Sequence, residues 1–198
     1  MSSNLFDLSG KVALITGGNS GIGLGFAEGA IKHGASVCLW GTNAQKNADA
    51  VHTLTKLVKQ NEESGQKVHS IVCNVADEEA VEASFAETLA DFGRVDACFG
   101  NAGVARSGRF DEFSTEDWRA VLDVNLDGLF FTLRAAARHM RQRAEAGDAG
   151  GRLIGTASLG ALMGMARVEA YGASKGAVIS FIQALAVEYA RYGVTANS

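Results

Sequence analysis

Short apolar runs alternate along the chain with longer segments of helical periodicity, which is typical of βα units around a parallel sheet. The apolar runs are solid rather than alternating, as expected for strands that are covered on both faces. The predicted strands are Lys11–Thr16, Ser36–Trp40, Lys67–Cys73, Val95–Phe99 and Arg152–Thr156, with a sixth beginning at Val194–Asn197. The predicted helices span about Gly21–His33, Ala44–Glu63, Asp77–Phe92, Thr115–Glu145 and Glu169–Tyr192.

This order of elements predicts an α/β fold, a single doubly wound parallel sheet of the Rossmann type with helices on both faces. No repeat or linker interrupts it, so residues 1–198 are expected to form one domain. Two helices are apolar on more than one side, around Leu126–Leu133 and Ala177–Val187. Such helices need a second packing surface in addition to the sheet. Either a crowded core or a subunit interface provides it, and the pattern leaves both open.

The composition excludes several classes of protein. With 18 basic and 22 acidic residues the net charge is −4, which gives no electrostatic footprint for nucleic acid. No stretch approaches the roughly 18 continuous apolar residues of a membrane span, and the first residues lack a secretory signal. Cys38, Cys73 and Cys98 fall in predicted buried strands without metal-ligand spacing. We therefore expect a cytoplasmic protein without metal, nucleic-acid partner or membrane anchor.

A glycine-rich turn, Thr16-Gly-Gly-Asn-Ser-Gly-Ile-Gly23, follows the first predicted strand. It matches neither the G-x-G-x-x-G fingerprint nor a Walker loop. Its glycines still let the backbone approach an anion, and free amides at a helix start point towards it. A purely structural tight turn would look the same. Its place after the first strand favours a dinucleotide site, because ligands of parallel sheets bind at the carboxyl ends of the strands.

The end of the second strand bears on the choice of dinucleotide. An NAD site usually has an acidic residue there, whereas this chain reads Trp40-Gly-Thr-Asn43. No acid repels a 2′-phosphate and no arginine clamps one, while Thr42, Asn43 and Lys46 could donate hydrogen bonds to it. The pattern favours NADP and leaves NAD open. Thr42 and Asn43 are equally compatible with capping the next helix.

Tyr171 and Lys175 stand near the start of the last predicted helix, four residues apart and therefore on one face. A phenol with an ordinary pKa of about 10 is a poor base at neutral pH, but a cation about 4 Å away favours its ionised form. The pair is suited to acid/base chemistry on an alcohol or ketone, although a packed tyrosine under a surface lysine gives the same pattern. Ser158, just past the fifth strand, could hold a substrate oxygen or cap a turn.

Together with Asn101-Ala-Gly103 and Asn125, these motifs stand in the order and spacing of the short-chain dehydrogenase/reductase family, which the chain resembles along its whole length. The resemblance implies NAD(P)-dependent interconversion of a secondary alcohol and a ketone by hydride transfer. Tyr171 would be the acid/base, Lys175 would bind the nicotinamide-ribose hydroxyls and assist Tyr171, and Ser158 would hydrogen-bond the reacting oxygen. Asn125 would hold a relay water behind Lys175, or bridge a helix kink.

The resemblance also implies the residues that bind the cofactor, which come from the glycine turn, the strand ends and the last helix. They are Gly17, Asn19, Ser20, Gly21, Ile22, Gly23, Thr42, Asn74, Val75, Asn101, Ala102, Gly103, Tyr171 and Lys175. The implied substrate is a small carbonyl compound or alcohol, with apolar Leu159–Met165 and Val104–Phe113 as candidate walls. A homodimer or homotetramer through the helices near 115–145 and 169–192 is expected.

Three departures from the family pattern stand out. Gly100 replaces the first of two asparagines before Ala102, and Asn74 stands where an acid usually meets adenine. The chain ends at Ser198, where family members continue into a substrate-covering segment and a last strand. We therefore expect a domain that is incomplete at its C-terminus, with an open pocket. The alternative function is a weak or inactive chain that only binds dinucleotide or associates with an intact relative.

Overall fold

Solidly apolar segments form the strands of one parallel sheet, as the sequence predicts. The computed structural model describes residues 5–58 and 65–198. The strands pair in the order β3-β2-β1-β4-β5-β6, and every pair is parallel. Because the order reverses between β1 and β4, their carboxyl ends flank the crevice where such sheets bind ligands. The strands are β1 (Val12–Thr16), β2 (Ser36–Gly41), β3 (Val68–Val72), β4 (Ala97–Gly100), β5 (Gly151–Gly155) and β6 (Val194–Asn197).

Helices cover both faces of the sheet, because successive strand residues point to opposite sides. On one side Ile15 and Leu39 pack against α1 and α2, and on the other Leu14 and Leu153 pack within a cluster that includes α3, α5 and α6. The helices are α1 (Gly21–Lys32), α2 (Ala44–Val58), α3 (Glu78–Phe92), α4 (Thr115–Leu122), α5 (Gly128–Glu145) and α6 (Glu169–Tyr189). The predicted fold class is therefore confirmed.

The predicted bounds of two long helices are wrong. The region 115–145 is not one helix, because a five-residue π-helical turn, Asp123–Asp127, separates α4 from α5. The wider turn surrounds Asn125, whose buried side chain bonds outside the helix. The last helix ends at Tyr189 and continues as a 3₁₀ turn to Tyr192, ahead of Gly193 in the left-handed conformation. The predicted extension of α2 to residue 63 lies outside the described residues.

Smaller differences concern the ends of strands and the apolar character of α6. β4 begins at Ala97 rather than Val95, and Cys73 follows β3 rather than lying within it, although it is still buried. Glu169–Tyr192 has no continuous apolar run of 18 residues, but by length and composition alone this helix could cross a membrane, with a mean hydropathy of 1.2. Mostly buried core helices of water-soluble proteins meet the same criterion; this helix packs one side on β5 and β6, and 28% of its apolar window is buried.

A buried carboxylate fixes the amino ends of β1 and β4, at the edge of the sheet opposite the crevice. Asp96 accepts a hydrogen bond from the Val12 amide at 2.9 Å and pairs with Arg94 at 2.6 Å and Arg143 at 3.3 Å. Burial alone would raise the pKa of Asp96, but the bonds from Arg94 and Val12 outweigh it and hold that pKa below its ordinary value. The carboxylate thus stays ionised and joins two strands.

Candidate active site

A crevice of about 410 Å³ opens at the carboxyl ends of β1 to β4. Its volume is in the range of small-molecule sites. Most of the predicted cofactor-binding residues line it, while Gly21, Ile22 and Gly23 form the first turn of α1, and Tyr171 and Lys175 lie on α6. The lining residues are Gly17, Asn19, Ser20, Trp40, Gly41, Thr42, Asn43, Lys46, Cys73, Asn74, Val75, Asn101, Ala102, Gly103, Val104 and Val124.

The glycine turn leaves the start of α1 open to an anion. Gly17 and Gly21 have φ angles of 62° and 53°, which glycine adopts without strain. A Cβ at Gly23 would lie 2.3 Å from the Gly17 carbonyl oxygen, so the turn and helix can approach only without a side chain there. In the described structure Ser20 makes no side-chain capping bond and the first turn of α1 holds no acid. The free amides and the positive end of the helix dipole suit a pyrophosphate.

Thr16 fastens the ends of β1 and β4 together, a role that sequence reasoning missed. Its buried hydroxyl accepts bonds from the amides of Asn101 at 2.9 Å and Ala102 at 3.0 Å, and it donates to the Phe99 carbonyl at 3.2 Å. The Asn101 side chain donates back to the Thr16 carbonyl at 3.0 Å. A hydroxyl that ends a solidly apolar strand was the available signal.

Asn47 on α2 is the second residue that the sequence did not reveal. It is almost fully buried, and its Oδ1 accepts a 2.7 Å bond from Asn19 Nδ2. Its own Nδ2 donates to the carbonyls of Gly41 at 3.0 Å and Ile71 at 3.2 Å. The signal was a polar residue on the helix face that also buries Leu54. Asn47 therefore connects the glycine turn to the ends of β2 and β3.

At the outer rim of the crevice some polar side chains bond backbone amides, and others are exposed to solvent. Asn43 Oδ1 accepts the Lys46 amide at 2.9 Å, so Asn43 does cap α2, as the alternative interpretation held. Thr42 and Lys46 are exposed. Asn74 Oδ1 accepts the Ala76 amide at 3.2 Å, which orders the loop after β3. The rim therefore presents a hydroxyl and an ammonium group towards the crevice.

Lys175 is a buried ammonium group at the inner end of the site. Its Nζ donates to the Thr156 carbonyl at 2.7 Å and lies 5.8 Å from the centre of the Tyr171 ring. Burial disfavours the charged form and lowers the pKa of Lys175. A Cβ at Gly103 would lie 3.4 Å from this Nζ and 3.2 Å from Asn125 Oδ1, so the three predicted residues Gly103, Asn125 and Lys175 meet.

Ser158 and Tyr171 approach each other across Gly160. A Cβ at Gly160 would lie 3.6 Å from Ser158 Oγ and 3.7 Å from Tyr171 Cε1. Ser158 also caps the 3₁₀ turn Leu159–Ala161, because its Oγ accepts the Gly160 amide at 3.2 Å. Capping fixes the direction of the hydroxyl oxygen, so the capping and substrate-binding interpretations are compatible.

Asn125 bridges the π-helical turn to two other segments. Its Oδ1 accepts the Val104 amide at 2.7 Å, and its Nδ2 donates to the Val104 carbonyl at 2.9 Å and to Ser174 Oγ at 3.0 Å. The amide side chain therefore has both N–H groups engaged, which supports the bridging interpretation. Its role in a water relay stays a prediction.

One of the two predicted substrate walls is bonded to the segment that follows the other. The Gly108 amide donates to the Arg167 carbonyl at 3.1 Å, and Arg167 has a φ of 68°, a strained angle for a residue with a side chain. Val104 lines the dinucleotide crevice. Leu159 and Leu162 instead line a separate cavity of about 510 Å³ that Ser158 also borders.

One group of metal-ligating side chains comes together in the described residues, although the sequence showed no such spacing. His69, Glu87 and Asp91 hold ligand atoms within 4.8 Å of one another. All three are exposed, His69 is bonded to Asp91, and none of them lines the crevice. This group therefore lies outside the candidate active site.

Comparisons with known proteins agree with the geometry. The family model described as short chain dehydrogenase matches residues 11–198. The chain is 34% identical over 189 residues to a 3beta-hydroxysteroid dehydrogenase of Mediterraneibacter gnavus, with 95% of this chain covered. It is 34% identical over 194 residues to a gluconate 5-dehydrogenase of Gluconobacter oxydans, with 98% covered. It spans 64% and 71% of the lengths of these relatives, respectively.

Solved structures give the same result. An NAD+-bound xylitol dehydrogenase superposes with a TM-score of 0.85 at 31% identity, over 96% of this chain and 69% of that one. A levodione reductase superposes with a TM-score of 0.85 at 30% identity, over 96% and 70%. Both likenesses cover nearly the whole of this chain.

Proposed function

Because this chain belongs to the short-chain dehydrogenase/reductase family, we propose that it is an NAD(P)-dependent oxidoreductase that interconverts a secondary alcohol and a ketone. The observation that carries the proposal is the buried Lys175 ammonium beside the Tyr171 ring, with Ser158 across Gly160. A buried cation next to a phenol and a hydroxyl is an acid/base arrangement suited to a carbonyl oxygen.

The chain's own residues fit a dinucleotide. The glycine turn would hold the pyrophosphate, the segment at Asn74 and Val75 the adenine, and Lys175 the ribose hydroxyls. Two of the three protons on Lys175 Nζ remain for those hydroxyls once the Thr156 carbonyl has taken one. When bound, the nicotinamide ring accepts or supplies the hydride.

The protein residues handle the proton. In oxidation, the ionised oxygen of Tyr171 takes the proton of the substrate hydroxyl as the C–H hydrogen leaves with its electron pair. In reduction, Tyr171 returns the proton to the carbonyl oxygen. Ser158 donates a hydrogen bond to that oxygen in both directions, and Lys175 stabilises the negative charge on the phenol by its nearby positive charge.

NADP is the dinucleotide we propose. None of the described residues that line the crevice is acidic, and Lys46 adds a positive charge beside the Thr42 hydroxyl at the end of β2. A 2′-phosphate is therefore attracted rather than repelled. Trp40 is buried against the crevice, so in a background that carries Trp118→Phe, used for every titration below, energy transfer from the Trp40 indole to a reduced nicotinamide measures binding of NADPH and of NADH.

Turnover tests the enzymatic part of the proposal. We expect oxidation of NADPH, followed by its absorbance, with at least one member of a panel of sugars, steroids, acyl ketones and small ketones. Binding of a dinucleotide without turnover across the panel would favour the alternative, a chain that only binds. A chain that takes up neither dinucleotide would contradict both.

We also propose that the protein is a homo-oligomer in the cytoplasm. Helix α6 leaves apolar side chains such as Val187 in solvent, and α5 exposes Phe130 on its surface. Exposed apolar helix faces of this kind favour association with a second copy. The free thiols of Cys38, Cys73 and Cys98 suit a reducing compartment.

A further inference from the structure

A pair of amide side chains crosses the carboxyl end of β2. Asn19 Nδ2, from the glycine turn, donates to Asn47 Oδ1 on α2 at 2.7 Å. Asn47 is only 2% exposed, and its own amide holds the carbonyls of Gly41 and Ile71. All polar atoms of Asn47 thus point to fixed partners in three different segments. A buried amide with every bond satisfied holds its neighbours rigidly.

This amide pair lies directly over Gly41. A Cβ at Gly41 would lie 2.3 Å from Asn19 Nδ2 and 2.6 Å from Asn47 Oδ1. Neither separation is possible for real atoms, so residue 41 cannot carry a side chain while the bridge is in place. Gly41 is the last residue of β2 and lines the crevice. The end of the second strand is also where an acidic side chain bonds the ribose 2′-hydroxyl of NAD.

We propose that Asn47 is a positioning and specificity-determining residue: through Asn19 it fixes the glycine turn, and by occupying the space over Gly41 it excludes a carboxylate clamp and so selects the 2′-phosphorylated dinucleotide. This inference rests on the proposed function. Its two parts act by different physical means. The tether supports binding of either dinucleotide, whereas the occupied space decides between them.

The tether is tested with Asn47→Leu, which keeps a side chain of similar size but removes all three hydrogen bonds. We expect the dissociation constants of NADPH and NADH, measured by energy transfer from Trp40, to rise about tenfold, as the loss of one well-made buried bond implies. Asn19→Ala should give a similar loss. The double variant should lose no more than either single one, because residues in one network do not act additively.

Gln45→Leu is the matched control. Gln45 is an exposed amide on the same helix, and its side chain bonds only Asp49. We expect this variant to bind as the parent does. Equal affinities of Asn47→Leu and Gln45→Leu would overturn the tether, and so would losses of Asn19→Ala and Asn47→Leu that add.

The occupied space is tested at residue 41. We expect Gly41→Asp to weaken both dinucleotides at least tenfold, because its side chain collides with the bridge. Gly41→Asp/Asn47→Ala removes one obstructing atom and leaves Asn19 Nδ2 without the bond that holds it over residue 41. We expect this double variant to bind NADH more tightly than Gly41→Asp and at least as tightly as Asn47→Leu, which also lacks the tether, whereas NADPH binding should not recover. A Gly41→Asp variant that binds NADH better than the parent would overturn the selection.

Failure to fold is separated from failure of the inference. Should thermal unfolding show that Gly41→Asp is not folded, Gly41→Ala and Gly41→Ala/Asn47→Ala repeat the comparison with a single carbon. Gly41→Ala is then expected to bind both dinucleotides more weakly than the double variant, and the double variant should bind as Asn47→Leu does, because both lack the tether. A parent chain that binds neither dinucleotide contradicts the proposed function, whereas a parent that binds while residue 47 has no effect contradicts only this inference.

Discussion

In the proposed mechanism, acid/base chemistry depends on a single phenolic oxygen. Lys175 donates to the Thr156 carbonyl and Ser158 accepts the Gly160 amide, so both are held in place, and Tyr171 beside them is assigned the proton transfer. Removing that oxygen removes the proton transfer but not the surfaces that bind the dinucleotide.

We therefore expect Tyr171→Phe to lower kcat roughly 10²- to 10⁴-fold, the usual contribution of a positioned acid/base. Stopped-flow or steady-state oxidation of NADPH measures it, and titration of Trp40 emission should show dinucleotide affinity within about twofold. Tyr189→Phe, at the far end of α6, is the control. Activity of Tyr171→Phe at the parent level would contradict the assignment.

The buried hydroxyl of Thr16 is expected to contribute to the free energy of unfolding. In Thr16→Val the amides of Asn101 and Ala102 both lose their acceptor, and unpaired buried donors cost about 1–3 kcal/mol each. We expect the free energy of unfolding in urea to fall by about that amount or more. Thr16→Ser keeps the hydroxyl and should recover most of the loss. An equal loss in both variants would show that the methyl group, not the hydroxyl, matters.

His139 gives the stability a pH dependence. Its Nε2 accepts the Val95 amide at 3.2 Å, so the ring is neutral there, and burial together with Arg143 lowers the pKa of His139 below its ordinary value of 6.5. Between that lowered pKa and about 6.5 the unfolded chain binds the proton more readily, so stability falls as the pH drops through this window.

The measurement is the free energy of urea unfolding at pH values from 7.5 down to 5. We expect it to decline in the parent chain and to decline less in His139→Gln, whose carbonyl oxygen can still accept an amide. His52→Gln, at an exposed position of α2, is the control. The pKa of Asp96 is also lowered, so its stabilising effect is lost only as the pH falls below about 3.8, outside this range. An unchanged slope in His139→Gln would contradict the role of the imidazole.

A residue's role could be predicted from the sequence when its partners lie nearby in the chain. Tyr171, Lys175 and Ser158 sit in local patterns whose spacing already indicates a shared face or a strand end. Thr16 and Asn47 work through partners that become neighbours only when β1, β2 and β4 pair. A polar residue at each of these positions could be noticed in the sequence, but the partners that define its role are brought together only by the tertiary structure.

Among the elements, α1 requires a close backbone approach at its start, because its first turn packs against the turn that follows β1. A Cβ at Gly23 would collide with the Gly17 carbonyl, whereas one at Gly25 would meet open space. We expect Gly23→Ala to weaken dinucleotide binding at least tenfold. Gly25→Ala, one half-turn along the same helix, should bind normally and raise stability by up to about 1 kcal/mol.

Titration of Trp40 emission and urea unfolding on the same samples check both statements. Weaker binding in Gly25→Ala as well as Gly23→Ala would indicate a general effect on the helix rather than on the turn. The glycines of this turn were visible in the sequence, but which of them tolerates a side chain depends on the angle between β1 and α1.

The π-helical turn shows why one element boundary could not be predicted. Residues 115–145 have continuous helical periodicity, and one extra residue in a turn hardly disturbs such a pattern. The cause lies outside the helix, since Asn125 bonds the Val104 backbone and Ser174 on α6. Caps such as Asp77 and Ser114, in contrast, act on amides three residues away and were within reach of sequence reasoning.

For the whole molecule, the untested expectation with the clearest outcome is self-association. We expect light scattering to give a dimer or tetramer mass, and Val187→Glu on α6 to shift it towards the monomer by placing a charge in an apolar contact. Thr53→Glu, on the exposed face of α2, should leave the mass unchanged. A parent chain that is monomeric at micromolar concentration would contradict the proposed assembly.

The overall arrangement was predictable because solid apolar strands and intervening helices permit few topologies. The parallel direction of the strands and their cover on both faces follow from βα units, whereas the strand order was not predicted. The packing of residues 159–167 beside Tyr171 was not predictable, because its shape depends on the Gly108–Arg167 bond between two loops.

The Asp96 anchor lies at the end of the sheet that is farthest from the chemistry. Its bonds to Val12, Arg94 and Arg143 hold the two central strands without any contribution from the loops that face the ligand. Because these bonds lie at the amino ends of β1 and β4, substitutions in the loops at the carboxyl ends leave them intact. Libraries that randomise residues 104–113 and 159–167 should therefore yield many folded members, so this chain offers a practical starting point for selecting catalysts of new carbonyl compounds.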